Sequence, residues 1–215
     1  MTLSTIKWAC GLMVLSVLTG CAGIASLNQV ATPTNLYVLS PKSTFSSSLP
    51  RLQQQIVVNQ PTATSAVDTD QIAVQPTPLQ VQYLPNARWV DRAPLIVQAL
   101  MIESFENSGK VPAVGSSTIG LRADYLIATD IREFQAMVPQ SETDTALQID
   151  VRLNIKVIDA LSDRIIASRS FEEIVSSASD DAPDVALAFD EALGDTLRDA
   201  IEWSIREMAN HAKTQ

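Results

Sequence analysis

The clearest pattern in the chain is Leu147, Ile149, Val151, Leu153, Ile155 and Val157, alternating with Gln148, Asp150, Arg152, Asn154 and Lys156. Side chains on a strand point to opposite faces in turn, so this period of two predicts a long half-buried strand with one wet face. Residues 124–137 and 164–175 are strand-like runs on either side, set off by polar connectors at 139–145 and 160–163. Short connectors suit antiparallel neighbours, so the three runs predict a meander. Upstream, residues 35–40, 55–59, 71–75 and 79–83 read as shorter strands. Pro76 and Pro78, between the last two, belong at edges and turns rather than in a central ladder.

Two stretches carry the helical period instead. Leu95, Ile96, Ala99, Leu100, Ile102 and Phe105 follow Asp91, which offers an N-cap, and Pro94, which the first turn tolerates. Gly109 supplies the stop, giving a helix over 92–108. Further on, Val185, Phe189, Leu193, Leu197 and Ile201 recur every four residues, with Trp203, Ile205 and Met208 beyond them. Ser179, Asp180, Asp181 and Pro183 open this helix, with acidic caps near the positive end of its dipole. The expected fold is α/β in the α+β sense: a mainly antiparallel sheet with two amphipathic helices packed on it, in a single domain.

Composition narrows the function. The 215 residues are 46% hydrophobic and 18% charged, enough apolar surface to build a core. Fifteen basic residues against twenty-four acidic ones leave a net charge of −9, which argues against binding nucleic acid, since little would neutralise phosphates. His211 is the one histidine, so histidine triads, His-ligated zinc and a histidine general base are not expected.

Residues 1–20 read as a targeting segment. Lys7 precedes an apolar run over 8–18, too short for a comfortable membrane span, which ends in Leu18-Thr19-Gly20-Cys21. That ending resembles the lipobox of bacterial lipoproteins, in which the cysteine is lipidated and becomes the new N-terminus. The expected order is a signal peptide over 1–20, lipidated Cys21 with a tether through residue 34, a folded domain over 35–208 and a tail over 209–215. Removing residues 1–20 leaves 195 residues with a net charge of −10 and no cysteine other than Cys21. No disulfide or thiolate chemistry is then available. The tether, residues 22–34, reaches at most ~45 Å. Ala22 follows the cysteine, without the aspartate that retains lipoproteins at the inner membrane, so the outer membrane's periplasm-facing leaflet is expected.

Candidate chemistry is sparse. Gly115-Ser-Ser-Thr-Ile-Gly120 has the glycine spacing of a phosphate loop, but Leu121-Arg122 stands where Lys-Ser/Thr is required, so a turn is expected. Asp124 and Asp130 share one face of a strand, about 20 Å apart, too far for an acid/base pair. No Gly-x-Ser-x-Gly elbow occurs, and beyond residue 20 no Ser-x-x-Lys occurs. Cofactors and catalytic residues are not expected. Arg88, Trp89 and Arg92 form a cluster with two readings: Trp89 in the core with solvated charges around it, or all three at a partner interface, where Trp and Arg are enriched.

The lipobox, Tyr37-Val38-Leu39, Tyr83, Ala87-Arg88-Trp89-Val90-Asp91-Arg92, Ala123-Asp124-Tyr125-Leu126 and Asp130-Ile131-Arg132-Glu133-Phe134 together resemble the ABC-type transport auxiliary lipoproteins, including the paraquat-inducible protein C group. The resemblance covers roughly residues 35–207. It implies a non-catalytic partner of an MCE-domain substrate-binding protein, in a system moving phospholipids or other hydrophobic molecules between the two membranes of Gram-negative bacteria. It carries over Cys21 alone as a site, and it suggests a homo-oligomer or a stoichiometric complex. On the residues alone, a structural or peptidoglycan-associated envelope lipoprotein and a periplasmic hydrolase stay open.

Overall fold

The computed structural model describes residues 33–120, 122–139 and 146–214. In chain order the elements are β1 (Asn35–Tyr37), β2 (Gln55–Val58), β3 (Thr62–Ala63), β4 (Gln71–Thr77), β5 (Gln80–Trp89), α1 (Ala93–Asn107), β6 (Ala113–Ser116), β7 (Tyr125–Met137), β8 (Gln148–Asp159), β9 (Arg164–Ser176) and α2 (Ala182–Ala212).

The alternating run is β8, and it lies between β7 and β9 in the expected antiparallel meander. Its apolar positions point to the core: Ile149, Val151, Leu153 and Val157 are fully buried and Ile155 nearly so. The other edge of β7 is shared. β2, β3 and β4 lie along it one after another, all parallel, with Ile56 beside Tyr125, Thr62 beside Asp130 and Val74 beside Ala136. β6 extends the sheet from β2, while β5 pairs antiparallel with β4 and carries β1 at its outer edge. The three longest ladders are antiparallel and the parallel pairings short. β4 runs through Pro76 to Thr77, with the ladder broken between Val74 and Thr77, so the proline sits at an irregularity where no regular bond is lost.

Both helices cover one face of the sheet, α2 along β8 and β9 and α1 beside β2 and β6. The predicted stripe of α2 is buried from Val185 to Met208 except for half-buried Trp203, and the helix runs on through Ala212. The start of α2 carries the expected acids and Pro183, whereas α1 does not have Asp91 at its cap. Arg92 and Asp181 occupy the N-cap positions, and neither makes a side-chain cap bond. Asp91 instead accepts from the Arg92 amide at 2.7 Å. Ser179 donates to Asp184, which supplies the first-turn acid of α2, at 2.6 Å.

The buried face of α1 is Ala93, Ile96, Val97, Leu100, Met101, Ser104 and Phe105, while Leu95 and Ile102 are half-buried and Ala99 is exposed. Apolar residues surround this helix almost continuously over 93–102, so periodicity alone places its inner face a residue off. β1 stops at Tyr37, short of the expected residue 40, because β5 ends at Trp89, its partner in register.

The outer face of β8 is only partly wet: Gln148 is exposed and Arg152 and Lys156 are half-buried. Asp150 and Asn154 are each only 7% exposed. β8 has a strand on both sides, and long side chains of β7 and β9 lie across its polar row.

Candidate functional site

The Arg88–Trp89–Arg92 cluster separates into core and surface. Trp89 is 1% exposed, and its ring meets Phe189 edge-on at 5.1 Å and Phe134 at 6.0 Å. A partner cannot reach it, and the interface reading fails for this residue because β5 directs the ring beneath the helices. Arg88 and Arg92 stay outside. Arg88 Nη1 donates to both carboxylate oxygens of Asp70 at 3.0 Å, and Arg92 Nε donates to Asp68 at 3.0 Å.

Around these arginines the sheet edge is apolar. Leu36 lies beside Arg88 across the β1–β5 pair. It is 63% exposed, with Val38 at 70% and Val90 at 49%. Sequence reading assigns Leu36 and Val38 to an ordinary first strand. Only the position of β1 at the rim turns them outward.

The residues considered for chemistry do not converge. Gly115 and Ser116 end β6, and Gly120 takes a left-handed φ of 68° in the turn that follows, the conformation glycine favours. Asp124 accepts from the Gln55 amide at 2.7 Å, and Asp130 pairs with Arg132 at 3.4 Å. His211 Nδ1 lies 3.0 Å from the Tyr125 hydroxyl. Burial, with Asp159 and Asp124 nearby, pushes the Tyr125 phenol up. Among the described residues no group of three or more His, Cys, Asp and Glu could hold a metal ion, and no helix is long and apolar enough to cross a membrane. Cys21 and the lipobox lie outside the described residues.

A groove opens on the sheet face that carries no helix. It holds about 690 Å³ between the β4–β5 hairpin and the paired ends of β7 and β8. Pro76, Pro78, Met137, Val138 and Pro139 give it apolar walls, and Glu133 and Asp150 give it charge.

Beside the groove runs a row across three strands. Arg152 of β8 pairs with Glu133 of β7 and stands 3.8 Å from Glu172 of β9. Gln135 donates to Glu133. Asp150 Oδ1, Asn154 Oδ1 and Arg152 Nε are buried without a hydrogen-bond partner. Burial, then Glu172 and Glu133, push the Asp150 carboxyl up to about 6, against the opposing pull of Arg152. Alternation marks Asp150 as an outward residue; it does not reveal that the neighbouring strands enclose it.

Residues 37–201 match the model of a family described as the ABC-type transport auxiliary lipoprotein component. An uncharacterized protein of Bradyrhizobium diazoefficiens is 27% identical over 158 residues, which cover 72% of this chain and 40% of that protein. This chain therefore spans well under half the length of that curated relative. The crystal structure of a Xanthomonas campestris protein is 27% identical with a TM-score of 0.78, over 83% of this chain and 99% of that one. A second crystal structure, of an uncharacterized protein, has 12% identity and a TM-score of 0.59 over 82% and 99% of the two chains, and shares the fold.

Proposed function

The chain belongs to the family of ABC-type transport auxiliary lipoprotein components, and on that premise we propose that it is a non-catalytic partner of an MCE-type ABC transport system. In this reading it helps move phospholipid or other hydrophobic molecules between the two membranes of a Gram-negative envelope. Acyl chains on Cys21 hold it in the outer membrane, facing the periplasm. Each buried methylene of those chains contributes ~0.8 kcal/mol, so several chains make a durable anchor.

The observation that carries this reading is the extent of the family match, from Tyr37 in β1 to Ile201 in α2. It takes in β2 to β9, α1 and most of α2 rather than one motif. The rim of β1 and β5 suits a protein partner: Leu36, Val38 and Val90 offer apolar contact, and Arg88 and Arg92 border it. We assign the MCE-domain protein to that rim, with Trp89 as the packed support beneath it.

Photocrosslinking in intact cells tests the assignment. A crosslinker at Val38 should capture an MCE-domain protein, whereas one at Leu187, exposed on α2, should not. Capture from Leu187 alone would move the partner to the helical face and overturn the assignment of the rim.

A further inference from the structure

We propose that the groove between the β4–β5 hairpin and the ends of β7 and β8 binds the primary ammonium headgroup of an aminophospholipid, with Asp150 and Glu133 facing the ammonium and Pro76, Pro78, Met137 and Val138 against the glycerol and upper acyl chains. The proposal rests on the transport reading for the class of ligand and on the groove for its chemistry.

Three observations carry it. Asp150 lines the groove at 7% exposure, yet no described residue donates a hydrogen bond to its carboxylate. A buried acceptor without a donor costs free energy that a bound donor returns. An ammonium brings three donors and a compensating charge.

The charge balance selects the sign of the ligand. Asp150, Glu133 and Glu172 stand against Arg152 alone, and Arg152 is already engaged with Glu133. The excess acid attracts a cation and disfavours a headgroup with net negative charge.

The walls select the body of the ligand. Two prolines of the hairpin and Pro139 fix apolar surfaces whose side chains lose almost no rotamer freedom on binding. Val138 is 38% exposed in the groove, and Leu79 and Val81 are exposed on the same hairpin. A small polar amine would leave all of this uncovered.

The test titrates the acylated full-length protein in detergent with dihexanoyl phosphatidylethanolamine, dihexanoyl phosphatidylglycerol and free ethanolamine, following the Met137 methyl signal by NMR. The ethanolamine lipid should bind at least tenfold more tightly than the glycerol lipid or free ethanolamine. Asp150→Asn, and independently Glu133→Gln, should each weaken it tenfold or more while the fold is retained.

Equal binding of the two lipids, or unchanged binding by Asp150→Asn, overturns the proposal. Free ethanolamine binding as tightly as the lipid overturns the lipid assignment in favour of a small-amine site. Recovery of the MCE partner is scored separately. No lipid selectivity with the partner recovered defeats the groove alone, whereas selective binding with no partner recovered defeats the transport reading alone.

Discussion

The Tyr125 hydroxyl lies 3.0 Å from His211 Nδ1 and donates to the Met208 carbonyl at 3.3 Å. The first residue of β7 is thereby tied to the last turn of α2, some 86 residues later in the chain. Tyr125 is 3% exposed, so the contact is shielded from water. Tyr125→Phe keeps the ring and removes only the hydroxyl. It should cost about 1 kcal/mol in urea unfolding, with an unchanged denaturant slope. A loss below about 0.3 kcal/mol would show that the end of α2 is held by packing alone.

The two faces of β8 should respond differently to truncation. Ile155 is 1% exposed beneath the helices, and Ile155→Ala should cost ~2–4 kcal/mol. Lys156, one residue on, points to the opposite face, and Lys156→Ala should cost under ~0.5 kcal/mol. Equal losses in melting temperature would contradict the register with β7 and β9, since a one-residue slip exchanges the faces.

Asp150 gives the fold a specific pH dependence. Its carboxyl titrates near 6 in the folded protein and near 3.9 when unfolded. The unfolded chain therefore releases this proton first. The contribution of Asp150 to stability falls as pH rises from about 4 to about 6 and is flat above that. With partial solvent screening the loss is on the order of 2 kcal/mol at pH 7.

The charged groups facing Asp150 are Glu133 on β7, Arg152 on β8 and Glu172 on β9. Asp150→Asn should remove this increment, leaving a variant more stable than the native chain at pH 7.5 and little changed at pH 4. A variant less stable at both pH values would contradict the enclosed, unpaired carboxylate. A carboxylate that lowers stability while serving a ligand is a known trade between stability and function.

Anchoring should depend on Cys21 alone. On the proposed anchor, Cys21→Ser removes the sulfur that would carry lipid, and the protein should be recovered unprocessed or in the soluble periplasmic fraction. The native chain should fractionate with outer-membrane markers on a density gradient. Peak recovery with inner-membrane markers would contradict the reading of Ala22 as permitting export to the outer membrane.

Particular residues show how far the sequence carries. The alternation over 147–157 identifies β8 and its inner face, because a period of two survives only where one side is buried. The four-residue stripe from Val185 to Ile201 identifies α2 for the matching reason. The parallel passage of β2, β3 and β4 along β7 is not legible, because strand direction depends on where the chain returns and the pairings are only two or three residues long.

The sites divide the same way. Trp89 is equally compatible with core and rim until the position of β5 is known. The exposure of Leu36, Val38 and Val90 follows from β1 standing at the sheet edge, a fact of tertiary order. The enclosure of Asp150 depends on Glu133 and Glu172, which lie 17 and 22 residues away in the chain and meet it only through the register of the meander.

The most direct test of the central claim is affinity purification of the protein from detergent-solubilised envelopes, with its companions identified by mass spectrometry. An auxiliary component of an MCE-type transporter should bring down an MCE-domain protein in stoichiometric yield, at wild-type expression and without chemical crosslinking. Purification without any MCE-domain protein, together with co-sedimentation of the protein with purified peptidoglycan sacculi, would contradict the account and identify a structural lipoprotein of the cell wall instead.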